Sequence, residues 1–142
     1  MEELLSLAVQ EVSQGQKVLI TARGNSMFPL IRDRVDKIVL APLTTPIRKG
    51  NIVLAIQCES YVLHRVIEIS GDIVTLRGDG NPFGVECVPI NSIVGEAVAI
   101  IRCSSREIHK GSLSWWCFQH LWPKSSWCRK VILGVSRRIK LR

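Results

Sequence analysis

A serine in a turn, a histidine in a strand-like run and an aspartate in a glycine-rich turn are the side-chain types that activate a hydroxyl. This chain carries each in a short motif: Ser26 in Gly24-Asn25-Ser26-Met27-Phe28-Pro29, His64 in His64-Arg65-Val66, and Asp79 in Gly78-Asp79-Gly80-Asn81. A hydroxyl is a poor nucleophile until a neighbouring base takes its proton. Histidine suits that task because its ordinary pKa, about 6.5, lets it accept and return a proton near neutrality. A carboxylate on the other ring nitrogen fixes the tautomer and stabilises the imidazolium.

The elements that must position these groups follow from the spacing of apolar residues. Leu4, Leu5, Ala8, Val9 and Val12 recur at helical spacing, which predicts a short amphipathic helix over 2–13. From 17 to 101 the pattern changes to short β-branched runs cut by Gly, Pro, Asn and Asp. Strands are expected at 17–22, 37–41, 52–57, 61–69, 73–77 and 93–101. Short connections suit antiparallel neighbours, and strands without interleaved helices predict a mainly β fold, a small coiled antiparallel barrel or sandwich. In the run 61–69, alternation puts Val62, His64 and Val66 on one face and Tyr61, Leu63, Arg65 and Ile67 on the other.

Each motif also has a plainer use. Asn25-Ser26 is ordinary turn chemistry, Met27 and Phe28 are good core residues, and a histidine between two valines reads as a buried, satisfied imidazole. The other two histidines, His109 and His120, have no comparable surroundings.

The chain has 142 residues, enough for one domain with a true core, and a net charge of +7. That charge is unevenly placed. Residues 1–101 hold nine Lys/Arg against eleven Asp/Glu, whereas 102–142 hold ten against one and contain all four tryptophans. A body of 1–101 followed by a basic, tryptophan-rich helical tail over 102–142 is the expected division. Five scattered cysteines, odd in number and without metal-ligand spacing, argue against a zinc site or a disulfide framework and suit buried or inert thiols in a reducing compartment. No cofactor is expected. No signal peptide is visible, and no apolar run reaches the ~18 residues of a spanning helix. The expected location is cytoplasmic, with peripheral contact at the inner membrane face.

Taken together the motifs resemble the serine-peptidase clan that joins type I signal peptidases with the SOS and phage repressor autoproteases. The clan pattern Gly-x-Ser-Met-x-Pro matches 24–29, Gly-Asp-Ile-Val is similar to Gly50-Asn51-Ile52-Val53, His-Arg-Val matches 64–66, and Gly-Asp-x-Asn matches 78–81. A histidine at the second catalytic position is similar to the endoplasmic-reticulum, archaeal and sporulation-type signal peptidases. The resemblance implies Ser26 as nucleophile, His64 as general base and Asp79 as the orienting acid, on a coiled all-β fold. Some signal peptidases carry a hydroxyl two places before the nucleophile. Gly24 stands there, so the implied oxyanion hole rests on backbone N–H groups at Ser26 and Gly24. Met27, Phe28 and Pro29 are expected beside an apolar peptide groove.

The expected function is therefore a serine endopeptidase that cuts a precursor or leader peptide after a small residue. A non-catalytic peptide-binding module of the same fold is the alternative. A repressor-type autoprotease fits less well, because only 25 residues precede Ser26 and they hold no Ala-Gly or Cys-Gly bond. The tail past 112 predicts one helix broken by Pro123, and a second capped by Ser125 or Ser126. In the second, Trp127, Cys128, Val131, Ile132, Val135 and Ile139 share one side, with Arg129, Lys130, Arg137 and Lys140 on the other. Trp115, Trp116, Trp122 and Trp127, with Arg129 and Lys130, form the expected contact with an anionic membrane surface. No nucleic-acid motif accompanies the charge, so no nucleic acid is expected as a partner.

Overall fold

The segment 52–57 is apolar on both alternating sets of positions, and 61–67 is so apart from His64 and Arg65, so strands built from them have two faces to bury. The computed structural model describes residues 2–81, 83–103, 105–122 and 126–140. A helix, α1 (Glu2–Ser13), leads into β1 (Val18–Thr21), β2 (Lys37–Ala41), β3 (Ile52–Gln57), β4 (Ser60–Ser70) and β5 (Ile73–Arg77). Then come β6 (Glu86–Pro89), β7 (Ile93–Ile101), β8 (Glu107–His109), α2 (Leu113–His120) and α3 (Ser126–Lys140). The strands form one antiparallel sheet in the order β1-β2-β7-β3-β4-β5-β6, with β8 paired to β7. The fold is mainly β, a curled half-barrel.

Register shifts at Val39/Leu40, Leu54/Ala55 and Val66/Glu68 bend three of the strand pairings. An extra residue on one strand of a pair bends that strand and raises its twist, which is how a flat sheet becomes a curled one. Alternation then sorts side chains into two cores. Ile52 and Leu54 of β3 pack with Leu30, Ile38, Leu40 and Ile100, while Val53 and Ala55 pack with Val66, Val74, Leu76 and Val88. Helix α1 closes the first core through Val12, which is 2% exposed.

All six expected strands form, and β6 and β8 join them. Both additions are short, β6 ending on Pro89 and β8 spanning three residues of the basic segment, too little for an alternation pattern. The segment after the expected boundary at 101 packs on the body. Strand β8 pairs with β7, Ile108 and Trp115 belong to the first core, and Arg102 donates to Asp36 Oδ2 at 2.9 Å and to the Leu30 carbonyl at 3.0 Å. The charge changes at 102, but the apolar anchors continue past it.

Helix α2 starts at an N-cap, Ser112, whose side chain accepts from the Trp115 N–H. Pro123, Ser125 and the side chains of Ser126, Arg137, Ile139 and Lys140 lie outside the described residues. The five cysteines are free thiols, and Cys58, Cys87 and Cys103 are exposed rather than buried.

Candidate active site

Ser26 lies in the irregular turn that follows β1. Gly24 enters it at φ +82°, in the left-handed region that glycine adopts without strain. The Gly24 N–H donates to Asp33 Oδ1 at 2.8 Å, and the Phe28 N–H to the Asn25 carbonyl at 3.1 Å. The Ser26 carbonyl accepts from the Gly80 N–H at 2.7 Å, so the glycine-rich turn sits directly on the serine turn. A Cβ at Gly78 would collide with the Ser26 carbonyl oxygen, and one at Gly80 with the Asn25 carbonyl oxygen. These two glycines are there for close approach. Among the described residues the Ser26 hydroxyl makes no hydrogen bond and its N–H finds no acceptor.

His64 is placed by β4. Val66 pairs with Leu76, and Leu76 with Glu86, so the face that carries Val62, His64 and Val66 also carries Glu86. The His64 Nδ1 lies 2.7 Å from Glu86 Oε2, with the imidazole almost wholly buried and the carboxylate partly open. Asp79, the residue expected to orient His64, is engaged elsewhere. Arg65 donates from Nε to its Oδ1 at 2.9 Å and from Nη2 to its Oδ2 at 2.7 Å, and from Nη1 to the Gly50 carbonyl at 2.9 Å. Asp79 is fully buried in this two-pronged pair. The physical reason is alternation: Arg65 and His64 are successive residues of a strand and leave it on opposite sides. Asp79 instead fixes the turn that grips Ser26, and Glu86 occupies the place on the imidazole. Its signal in the sequence is slight, an acidic residue two before a buried valine in the short run after the glycine-rich turn.

Ser26 and His64 line one cavity of about 640 Å³. Leu4, Leu7 and Ala8 of α1, Leu19 of β1, and Tyr61 and Leu63 of β4 supply apolar walls. Met27 also lines it, although its side chain is mostly core. Phe28 and Pro29, expected at the groove, are not among the lining residues, and Phe28 is buried. No hydrogen bond joins Ser26 to His64 among the described residues, and His64 Nε2 has no partner there. Contacts of this kind are commonly open without substrate and tighten when it binds. A hydroxyl and an imidazole lining one cavity, with a carboxylate on the far ring nitrogen, are the parts that general-base activation uses. The Gly24 N–H is committed to Asp33 Oδ1, so of the two N–H groups expected at an oxyanion hole only that of Ser26 is without an acceptor among the described residues. Among the described residues no group of three or more His, Cys, Asp or Glu could hold a metal ion.

The far side of the glycine-rich turn is covered by the C-terminal segment. Arg129 Nη1 donates to the carbonyls of Asn81 at 3.2 Å and Gly78 at 3.4 Å, and Trp122 Nε1 donates to the Asp79 carbonyl at 3.1 Å. Burial pushes the Arg129 pKa down, and neighbouring Arg77 adds to the effect. The Lys130 Nζ stands 4.4 Å from the centroid of Phe83, a cation–π contact. Of the six residues expected at a membrane surface, Trp115 and Arg129 are buried and Trp122 is half-buried. Trp116, Trp127 and Lys130 remain exposed. The chain matches no family model and no curated protein sequence.

Proposed function

We propose that this chain is a serine endopeptidase of the signal-peptidase kind, acting on a precursor or leader peptide. The observation that carries the reading is that Ser26 and His64 line one apolar-walled cavity while Glu86 holds the far nitrogen of the imidazole. In this reading Ser26 Oγ attacks the scissile carbonyl carbon and its proton passes to His64 Nε2. The Ser26 N–H meets the developing oxyanion. The intermediate collapses as His64 returns the proton to the leaving amine, and water, activated by the same imidazole, releases the acyl group. Glu86 positions the ring and stabilises the imidazolium. An extended peptide fits the groove between α1, β1 and β4, whose walls suit aliphatic side chains. The preference for a small residue just before the cut rests on the resemblance alone.

A second reading, a peptide-binding module without catalysis, draws on one observation: the Ser26 hydroxyl and the imidazole are not hydrogen-bonded. Incubating the wild-type chain and Ser26→Ala with a peptide library, followed by mass spectrometry, separates the two. Cleavage by the wild type alone supports the peptidase. Binding by both with cleavage by neither supports the module.

A further inference from the structure

Helix α3 meets the body with one side only. Arg129 and Leu133, one turn apart, are 4% and 3% exposed, whereas Trp127, Val131, Ile132 and Val135 are 72%, 47%, 38% and 53% exposed. Trp127, Val131 and Val135 fall at successive helical turns with Ile132 beside Val131, and the four form an apolar stripe facing away from the protein. The helix 126–140 contains no acidic residue, and Lys130 and Arg138 stand exposed on it. No described helix is long and apolar enough to cross a membrane.

The geometry points to a docking face for an anionic lipid bilayer: the stripe Trp127, Val131, Ile132 and Val135 lies in the headgroup zone, and the basic residues around it meet lipid phosphates. The surroundings select this occupant. The body cannot cover the stripe, because its contact with α3 is already made through Arg129 and Leu133. A second copy of the chain would bring together two segments that each carry ten basic residues against one acidic. A nucleic acid would answer the charge but leave the aliphatic stripe in water. A bilayer with acidic headgroups answers both: tryptophan settles at the interface, aliphatic side chains enter the acyl boundary, and long basic side chains reach back to phosphate. Docking also carries the candidate site to the surface, since Arg129 and Trp122 fasten this segment to the turn that grips Ser26.

The test uses the full chain with sedimented vesicles of phosphatidylcholine, alone or mixed with phosphatidylglycerol. Expected are partition at least about tenfold stronger onto the mixed vesicles and loss of most of it in Val131→Glu/Val135→Glu. Quenching of tryptophan emission by brominated acyl chains should weaken in Trp127→Phe. Arg138→Glu, at an exposed position, should weaken binding to the anionic vesicles alone. Equal partition by the wild type and the double variant overturns the proposal. So does the absence of partition, or binding that salt abolishes without any quenching at Trp127. A concentration-dependent dimer dispersed by the double variant would assign the face to a second copy and overturn it too. None of these readouts requires cleavage, so the lipid proposal and the peptidase reading fail separately.

Discussion

Glu86 Oε2 lies 2.7 Å from His64 Nδ1, across 22 residues of chain. The contact exists because β4, β5 and β6 are consecutive antiparallel neighbours whose register brings position 86 onto the face of position 64. A carboxylate there permits one tautomer, with the proton on Nδ1 and the lone pair on Nε2. It also divides the two acidic residues near the site by function, since Asp79 is occupied by Arg65.

Ser26→Ala should lower kcat/KM for the cleaved peptide by about 10⁴ or more. It should leave the melting temperature unchanged, because the hydroxyl makes no hydrogen bond within the described residues. Peptide turnover by this variant at the wild-type rate refutes Ser26 as nucleophile.

Glu86→Gln and Asp79→Asn should fail in different ways. Glu86→Gln keeps the shape, loses the charge, and should cut kcat by roughly 10²–10⁴ with little change in denaturation midpoint. Asp79→Asn leaves the buried Arg65 guanidinium without its counter-charge and should cost about 3–5 kcal/mol of stability. Paired urea titrations and single-turnover rates read both effects. A reversed pattern would return Asp79 to the imidazole.

Gly80→Ala should displace the serine turn, because the new methyl group meets the Asn25 carbonyl. The expected result is loss of cleavage together with loss of stability. Gly134→Ala in α3 meets nothing within 4 Å and should instead stabilise the helix by roughly 0.5–1 kcal/mol. Thermal melts of the two variants shifting in the same direction would contradict this.

Truncation after residue 101 should give a chain that does not fold cooperatively. It removes Ile108 and Trp115 from the first core and the Arg102 contacts with Asp36 and Leu30. Trp115→Ala in the full chain, with its side chain 1% exposed, should cost about 3–5 kcal/mol. A truncated chain with a sharp native-like melt would show that residues 1–101 fold alone.

Much of this was legible in the residues. The strands at 37–41, 52–57, 73–77 and 93–101 have the bounds that their β-branched runs and flanking turn residues predict. The turn 78–81 does lie beside the turn of Ser26. What was not legible is pairing at a distance. Alternation tells which face a side chain takes, but Glu86 reaches His64 only through the register of three strands, and β6 is too short to announce itself. A helical wheel separates Arg129 from Trp127 and Val131, yet it does not say which side meets the body. Here the side bearing an arginine is the buried one, because two backbone carbonyls, at Gly78 and Asn81, accept from the guanidinium. Net charge likewise marked the segment after 101 as separate while Trp115 and Ile108 drew it into the core.

The Ser26 turn is gripped through its main-chain oxygen, by the Gly80 amide, and not through its side chain. Architecture and reactivity at this position are therefore separable: a different side chain can be installed there without unmaking the loop. Ser26→Cys, in a chain whose exposed Cys58, Cys87 and Cys103 are first replaced by serine, would exploit that freedom, turning the cavity into one that accepts thiol-directed labels and so lets its base, its depth and its occupants be probed chemically.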